Sequence, residues 1–337
     1  MAVTLLSKFS SIFAWPIPSV PKYSGPFAVG VHDIESTYPT VCAGLSVSSR
    51  DLASHGTVLV RLFYPAGPLT TGASRAPWLP HPPNEYASGY GALVRLPAWV
   101  SVPLFSAALL FTRGPAYMNA RFLRPQEAAA AAAAFPPGRS DAARAEIQAE
   151  VAAIAASKRY PVVVFSHGLA GCRTTYSSIC GELASHGMVV AAVEHRDGSA
   201  ANTSYPSPAA EKPGATRVHY RLPPPVDDAK TFRTVQLEHR VDEVRLAVRL
   251  LRALDKGANV REKDDGWPHA GDFDLSHLCG ALDLADNLFV AGHSFGAATA
   301  LKSVSVKDNP FRAAVAFDPW MLTVEGIDVL RPVLVMN

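Results

Sequence analysis

Cysteine is scarce in this chain. Cys42, Cys172, Cys180 and Cys279 are the only four among 337 residues, and no two stand at zinc-ligand spacing. So few and so scattered, they exclude a disulfide-stapled scaffold and a cysteine-built metal site. They fit reduced thiols in a cytoplasmic protein, with secretion as the alternative. An excess of one charge is missing too: 31 Lys and Arg face 29 Asp and Glu, a formal net charge of +2. Binding of nucleic acid by counterion release needs a concentrated basic excess, so that class of partner is excluded. A long unbroken apolar run is also lacking. Residues 96–112 carry no charge, but they lie at the short edge of the ~20 residues a spanning helix needs, and Pro97 and Pro103 interrupt them. At the N-terminus, Lys8 breaks the early apolar residues and Pro16 and Pro18 end them, which argues against a cleaved leader. Ala2 excludes N-myristoylation.

What is present is core-forming material. Hydrophobic residues make up 48% of the chain and mean hydropathy is +0.11, which excludes wholesale disorder. The length suits one large α/β domain, read here as a single domain over residues 1–337. Residues 57–64 alternate as an early strand. Residues 161–165 and 188–193 are short continuous apolar runs, the pattern of parallel strands buried on both faces. Residues 288–291, 313–317 and 332–336 read as further strands. Tyr176, Ile179, Cys180 and Leu183 recur at helical spacing before Gly187, and Val241, Val244, Val248 and Leu251 mark one face of a helix over about 232–254. Strands and helices in alternation predict a mostly parallel central sheet with helices on both faces. The alanine-rich stretch 125–157 reads as an exposed helical or disordered insertion without chemistry, and the proline-rich stretch 206–225 as a long loop. Residues 96–112 admit two readings. One is a surface element dipping into a lipid interface between Arg95 and Arg113; the other is a helix and loop buried in the core.

The chemistry concentrates in Gly292-His293-Ser294-Phe295-Gly296. A G-x-S-x-G string arises by chance about once in ten chains of this length, so its context decides. It follows a short apolar strand and precedes residues 297–302 (AATALK), which read as a helix start. That is the strand–turn–helix of a nucleophile elbow, in which glycines relieve crowding and let the serine hydroxyl stand clear. Acyl transfer also needs an oxyanion hole. Phe295 N–H is one expected donor, at a helix N-terminus. Leu169 N–H, in the glycine-containing turn after residues 161–165, is the other. Asp318 ends the next strand and is placed to hold a histidine in the correct tautomer. The base is the difficulty: in this arrangement the order is Ser, Asp, His, yet all 11 histidines precede Ser294. His293 should point away from the nucleophile. His167, near the oxyanion turn, is the least implausible stand-in. Glu194-His195-Arg196-Asp197 are packed too closely to converge on one ion and suit a structural hydrogen-bond network better; no metal and no cofactor are expected.

With these residues in hand, the chain resembles the platelet-activating factor acetylhydrolases of the lipoprotein-associated phospholipase A2 type. The resemblance rests on residues 24–30 (SGPFAVG), 160–169 (YPVVVFSHGL), 183–187 (LASHG), 193–197 (VEHRD), 272–276 (DFDLS), 292–296 (GHSFG) and 318–320 (DPW). It implies an α/β-hydrolase fold and calcium-independent hydrolysis of the sn-2 ester of phospholipids with short or oxidised acyl chains. It also implies roles for Ser294 and Asp318 as triad members, with Leu169 and Phe295 as oxyanion donors. Trp99, Phe105 and Phe111 fall where the family carries an interface-binding surface for membrane or lipoprotein. The family continues past the strand matched by residues 332–336 and carries its catalytic histidine there, so the chain resembles a member cut short, with the last part of the fold missing. A carboxylesterase or lipase acting on soluble esters, and a non-catalytic lipid-binding form, remain as alternatives.

Overall fold

The computed structural model describes residues 20–37, 57–133, 141–206, 215–222, 229–258 and 273–337. The candidate leader, Cys42 and Asp272 lie outside these residues. In chain order the elements are β1 (Ala28–Thr37), β2 (Thr57–Ala66), β3 (Arg75–Pro77), α1 (Pro83–Leu93), α2 (Ala98–Leu109), β4 (Arg113–Met118), α3 (Ala128–Ala133), α4 (Asp141–Ser157) and β5 (Tyr160–Ser166). They continue with α5 (Ser177–Ser185), β6 (Val189–Glu194), β7 (Asn202–Pro206), β8 (Ala215–His219), α6 (Ala229–Asp255), β9 (Leu282–His293), α7 (Phe295–Ser305), β10 (Ala313–Phe317) and β11 (Val333–Met336).

Nine strands form one sheet in the order β11-β10-β9-β5-β6-β2-β1-β4-β3. From β11 to β6 every pairing is parallel, and β2 joins β6 antiparallel. The apolar runs of β5 and β6 have the composition of doubly covered strands, and both faces are buried. On one face Val162, Val164, Val189, Ala191 and Val193 pack with Val244, Val248 and Leu251 of α6. On the other, Val163, Phe165, Val190 and Ala192 pack with Cys180 and Ala184 of α5. The two-residue period of a strand assigns alternate side chains to opposite layers. Gly187 ends α5 at φ +90°, as a left-handed cap should.

Three expectations need correction. The alanine-rich stretch is helical on both sides of its undescribed centre, but it is not simply exposed: Ala128, Val151 and Ile154 are buried in the α6-side core. A few apolar residues on one side of α4 suffice to dock it. The proline-rich stretch begins and continues as a hairpin, β7 paired antiparallel with β8, with residues 207–214 and 223–228 outside the described set. Residues 96–112 are not buried in the core. In α2 only Ser101 is buried, and it lies where a Cβ on Gly91 of α1 would come within 2.2 Å of the Ser101 Cβ. The two helices touch through small residues there; Trp99 of α2 is left exposed, while Val100, Val102, Leu104, Phe105 and Leu109 are half-buried.

Candidate active site

Chain reversal at the end of β9 is built from two glycines and one strained serine. Ser294 lies between β9 and α7 with φ 55° and ψ −117°, a conformation that costs a non-glycine residue ~1–3 kcal/mol. A Cβ on Gly292 would lie 2.2 Å from the Gly296 carbonyl oxygen, and one on Gly296 would lie 2.0 Å from the Ser166 carbonyl oxygen. Only hydrogen fits at either position, which is the physical content of the motif. The turn is tied on both sides: Ser294 N–H donates to the Phe317 carbonyl at 2.9 Å, and Trp320 N–H donates to the Ser294 carbonyl at 3.1 Å.

β5 and β9 are neighbours whose chains continue to opposite sides, β5 to β6 and β9 to β10. Such a switch point opens a crevice beyond the carboxyl ends of the strands. Ser294 leaves β9 there and residues 167–171 leave β5. A Cβ on Gly168 would sit 3.4 Å from the Ser294 Cβ, so the turn expected to form the oxyanion hole abuts the serine. Around Leu169 the neighbouring N–H groups are spent: Gly168 on the Tyr176 hydroxyl at 3.3 Å, Ala170 on the Ser199 carbonyl at 2.7 Å and Gly171 on the Gly168 carbonyl at 3.1 Å. Leu169 N–H has no acceptor among the described residues. Phe295 N–H opens α7, where a helix has no internal acceptor to offer. Ala170 (φ 53°) and Asp318 (φ 43°) join Ser294 in the left-handed region, so a strained non-glycine residue follows the carboxyl end of each of the neighbouring strands β5, β9 and β10.

Asp318 stands at the end of β10, anchored by its N–H on the Met336 carbonyl at 2.7 Å, with an exposed side chain. A cavity of about 790 Å³ borders it and runs along β11, but neither Ser294 nor Leu169 lines that cavity. Among the described residues, neither the Ser294 hydroxyl nor the Asp318 carboxylate has a histidine partner. His167 does not serve as the base. It is buried, its Nδ1 bonds the Gly168 carbonyl at 2.7 Å, and its Nε2 accepts the His195 N–H at 3.2 Å. Burial and then the Arg240 charge push it down to about 4, so the ring is neutral and both nitrogens are committed. His293 turns away as expected and bonds the Tyr176 hydroxyl at 2.7 Å.

Residues 194–197 form the hydrogen-bond network the sequence suggested, and among the described residues no cluster of metal ligands occurs. Glu194 takes Arg173 at 2.6 Å and Tyr86 at 2.8 Å, and Arg173 continues to Asp33 at 3.0 Å. Arg196 pairs with Glu35. His195 is bonded by the Ser166 hydroxyl at 2.8 Å and by Glu243 at 2.7 Å. Ser166–His195–Glu243 has the connectivity of a hydrolytic triad, yet all three side chains are buried, so no substrate reaches it. Burial keeps His195 well below the ordinary histidine range. Burial lowers His239 as well, but the Glu243 carboxylate outweighs that and lifts it to about 9. Burial, with the Asp197 charge adding to it, pushes Glu243 upward against the pull of His239; its acceptance of the Arg196 N–H at 2.9 Å and its bond to His195 at 2.7 Å work in the other direction, toward the ionised carboxylate. Sequence reading missed Tyr176, Ser199, Arg240 and Glu243. The available signal was polar: Gln236, Arg240 and Glu243 recur at helical spacing on α6 and are all buried.

A mostly parallel, doubly covered sheet with a strained Gly-x-Ser-x-Gly elbow at its switch point defines an α/β-hydrolase. The sequence matches the family described as platelet-activating factor acetylhydrolase, isoform II, over residues 15–130 and 142–337, and the chain belongs to that family. It is 32% identical over 314 residues to the platelet-activating factor acetylhydrolase of Cavia porcellus, covering 92% of this chain and 57% of that one. It is 31% identical over 332 residues to that of Gallus gallus, covering 94% and 65%. It thus spans about two thirds or less of these relatives' length. Among solved structures, a ferulic acid esterase from Streptomyces cinnamoneus aligns over 95% of this chain and 68% of its own, with a TM-score of 0.49 and 22% identity.

Proposed function

We propose that this chain carries the acyl-transfer site of a calcium-independent serine esterase. Its substrate would be the short sn-2 acyl ester, acetyl above all, of phospholipids of the platelet-activating factor kind. The observation that carries this reading is the strained Ser294 against Gly168, with no acceptor for the Leu169 and Phe295 N–H groups among the described residues. In the reaction Ser294 Oγ bonds to the acyl carbon as its proton passes to a base. The carbonyl oxygen becomes an oxyanion between the two N–H groups, and the lysophospholipid alkoxide leaves with a proton. Water then releases the acid. By the family resemblance the base is a histidine after Asp318, held by that carboxylate.

The lipid surface of the reading is α2 and its flanks. Trp99 is 81% exposed and Phe111 64% exposed, with Arg95 and Arg113 beside them for anionic headgroups. Phe105 differs: half-buried, its ring lies 6.4 Å from that of Tyr90, so it supports the surface rather than forming it. Among the described residues no single helix is long and apolar enough to cross a membrane, although α1 and α2 reach that length and apolarity together as a pair bent by 117°; the contact proposed here is a peripheral one through Trp99 and Phe111. A non-catalytic lipid-binding protein is the second reading, favoured by the lack of a histidine partner for Ser294 among the described residues.

The test uses this chain and the chain extended at its C-terminus with the remaining segment of a family member. The extended chain should release acetate from an sn-2-acetyl phospholipid with a calcium chelator present, and an organophosphate should label Ser294. Ser294→Ala should abolish both. Activity lost in chelator, or label on another residue, sinks the esterase reading. Vesicle binding without any labelling supports the second.

A further inference from the structure

Arg240 is used by nothing in the proposed chemistry, yet it is a fully buried cation beneath the crevice. Its Nη1 donates to the His167 carbonyl at 2.6 Å. Its Nε and Nη2 donate to the Ser199 hydroxyl at 2.9 and 2.6 Å. The guanidinium carbon lies 4.5 Å from the centre of the Phe295 ring, and Asp197 faces Nε at 3.3 Å. Ser199 in turn offers its carbonyl to Ala170 N–H at 2.7 Å. Arg240 therefore grips the peptide before the Leu169 N–H directly and the peptide after it through Ser199. Its other face rests on the residue that carries the second N–H.

We propose that Arg240 is the positioning residue of the oxyanion hole, one side chain on α6 that sets the Leu169 and Phe295 N–H groups against each other. The proposal rests on the acyl-transfer reading of Ser294. Burying a guanidinium is costly, and an apolar side chain would fill the same space more cheaply. What an apolar side chain lacks is a planar fork that bonds two separate groups at its edge while stacking on a ring with its face. The turn it holds, residues 167–171, has ties of its own, Gly168 N–H on the Tyr176 hydroxyl and Gly171 N–H on the Gly168 carbonyl, but neither bond reaches Phe295; Arg240 is the side chain that touches both the turn and that ring. Lysine would keep the charge and one bond but neither the fork nor the stacking.

Two measurements on this chain test the proposal, with Arg240→Lys, Arg240→Met and, should the methionine protein fail to fold, Ser199→Ala. The first is hydrogen exchange. Peptides covering 166–171 and 294–297 should exchange at least ~10-fold faster in Arg240→Lys, while strands β5 and β6 keep wild-type protection. The second is phosphonylation of Ser294 by a nitrophenyl phosphonate in the C-terminally extended chain. The limiting rate constant should fall ~100-fold in Arg240→Met, the size of losing one oxyanion donor. It should fall ~10-fold in Arg240→Lys and Ser199→Ala, with half-saturating reagent unchanged. Unchanged exchange at 166–171 in folded Arg240→Lys overturns the proposal. So does protection lost evenly across the sheet, or a shift in half-saturation with no change in rate, since either marks a role in packing alone. If wild-type Ser294 is not labelled, the esterase reading fails, and exchange still decides whether Arg240 holds the turn.

Discussion

At the scale of single residues, shape and charge make separate demands. Gly296→Ala places a methyl 2.0 Å from the Ser166 carbonyl oxygen, a backbone atom that cannot swing aside. The expected cost is ~1–3 kcal/mol or more in urea melts, with Ser294 labelling lost even in the folded fraction; a fully stable, reactive variant would show that the elbow relaxes. Two buried histidines bias stability in opposite pH directions. His167 is held at about 4, below its ordinary value near 6.5. Its contribution is therefore complete above about 6.5 and is lost as pH falls toward 4, on the order of 3 kcal/mol. His239 is held at about 9, so its contribution is complete below about 6.5 and is lost as pH rises through 9. Denaturation midpoints should peak near neutrality. His167→Gln should flatten the acid limb and His239→Gln the alkaline limb; limbs unchanged by these variants would place the titration elsewhere. Ser294, Phe295 and Leu169 were legible in sequence because each follows an apolar strand within a few residues, so local chemistry marks it. Arg240 was not, because its partners, the His167 carbonyl and the Phe295 ring, lie 73 and 55 residues away and a carbonyl has no signature in a sequence.

At the scale of elements, the buried strands and α6 were readable from period alone, whereas α2 was ambiguous for a physical reason. A helix apolar on every side has no polar face to show which way it turns. The small contact Gly91–Ser101 decides it, and that pairing depends on how α1 meets α2. The same contact divides the three aromatic residues. Trp99→Ser and Phe111→Ser should each weaken partition onto anionic phospholipid vesicles by ~10-fold or more, since each withdraws an exposed ring from the interface at ~25 cal/mol per Å², and leave thermal stability unchanged. Phe105→Ser should lower the melting temperature through lost packing on Tyr90. Equal destabilisation by all three would return α2 to the core. The alanine-rich stretch is helical and mostly exposed as its composition suggests, but composition hid the sparse apolar contact that docks it, Val151 and Ile154 three residues apart on α4.

At the scale of the whole molecule, the crevice follows from strand order. Ser294 and Leu169 are 125 residues apart in the chain and meet because β9 pairs with β5 in register, Gly292 beside Ser166. Alternation of strands and helices was enough to predict a parallel sheet, but the nine-strand order and the antiparallel entry through β2 depend on long-range pairing that no local pattern carries. The described sheet has β11 at one edge, where Leu334, Val335 and Met336 are 58%, 50% and 49% exposed. Leu330 and Met321 nearby are exposed as well. An apolar edge strand offers unpaired backbone groups together with side chains that favour burial, and natural edges are commonly blunted with charge. This chain as it stands should therefore self-associate through β11. Val335→Lys puts a charge on that edge without touching Ser294, and it should lower the association constant at least ~10-fold in sedimentation while leaving organophosphate labelling as it was. Association unchanged by Val335→Lys but relieved by Trp99→Ser would move the contact to the α2 surface, and the lipid-facing helix would then be the self-associating one.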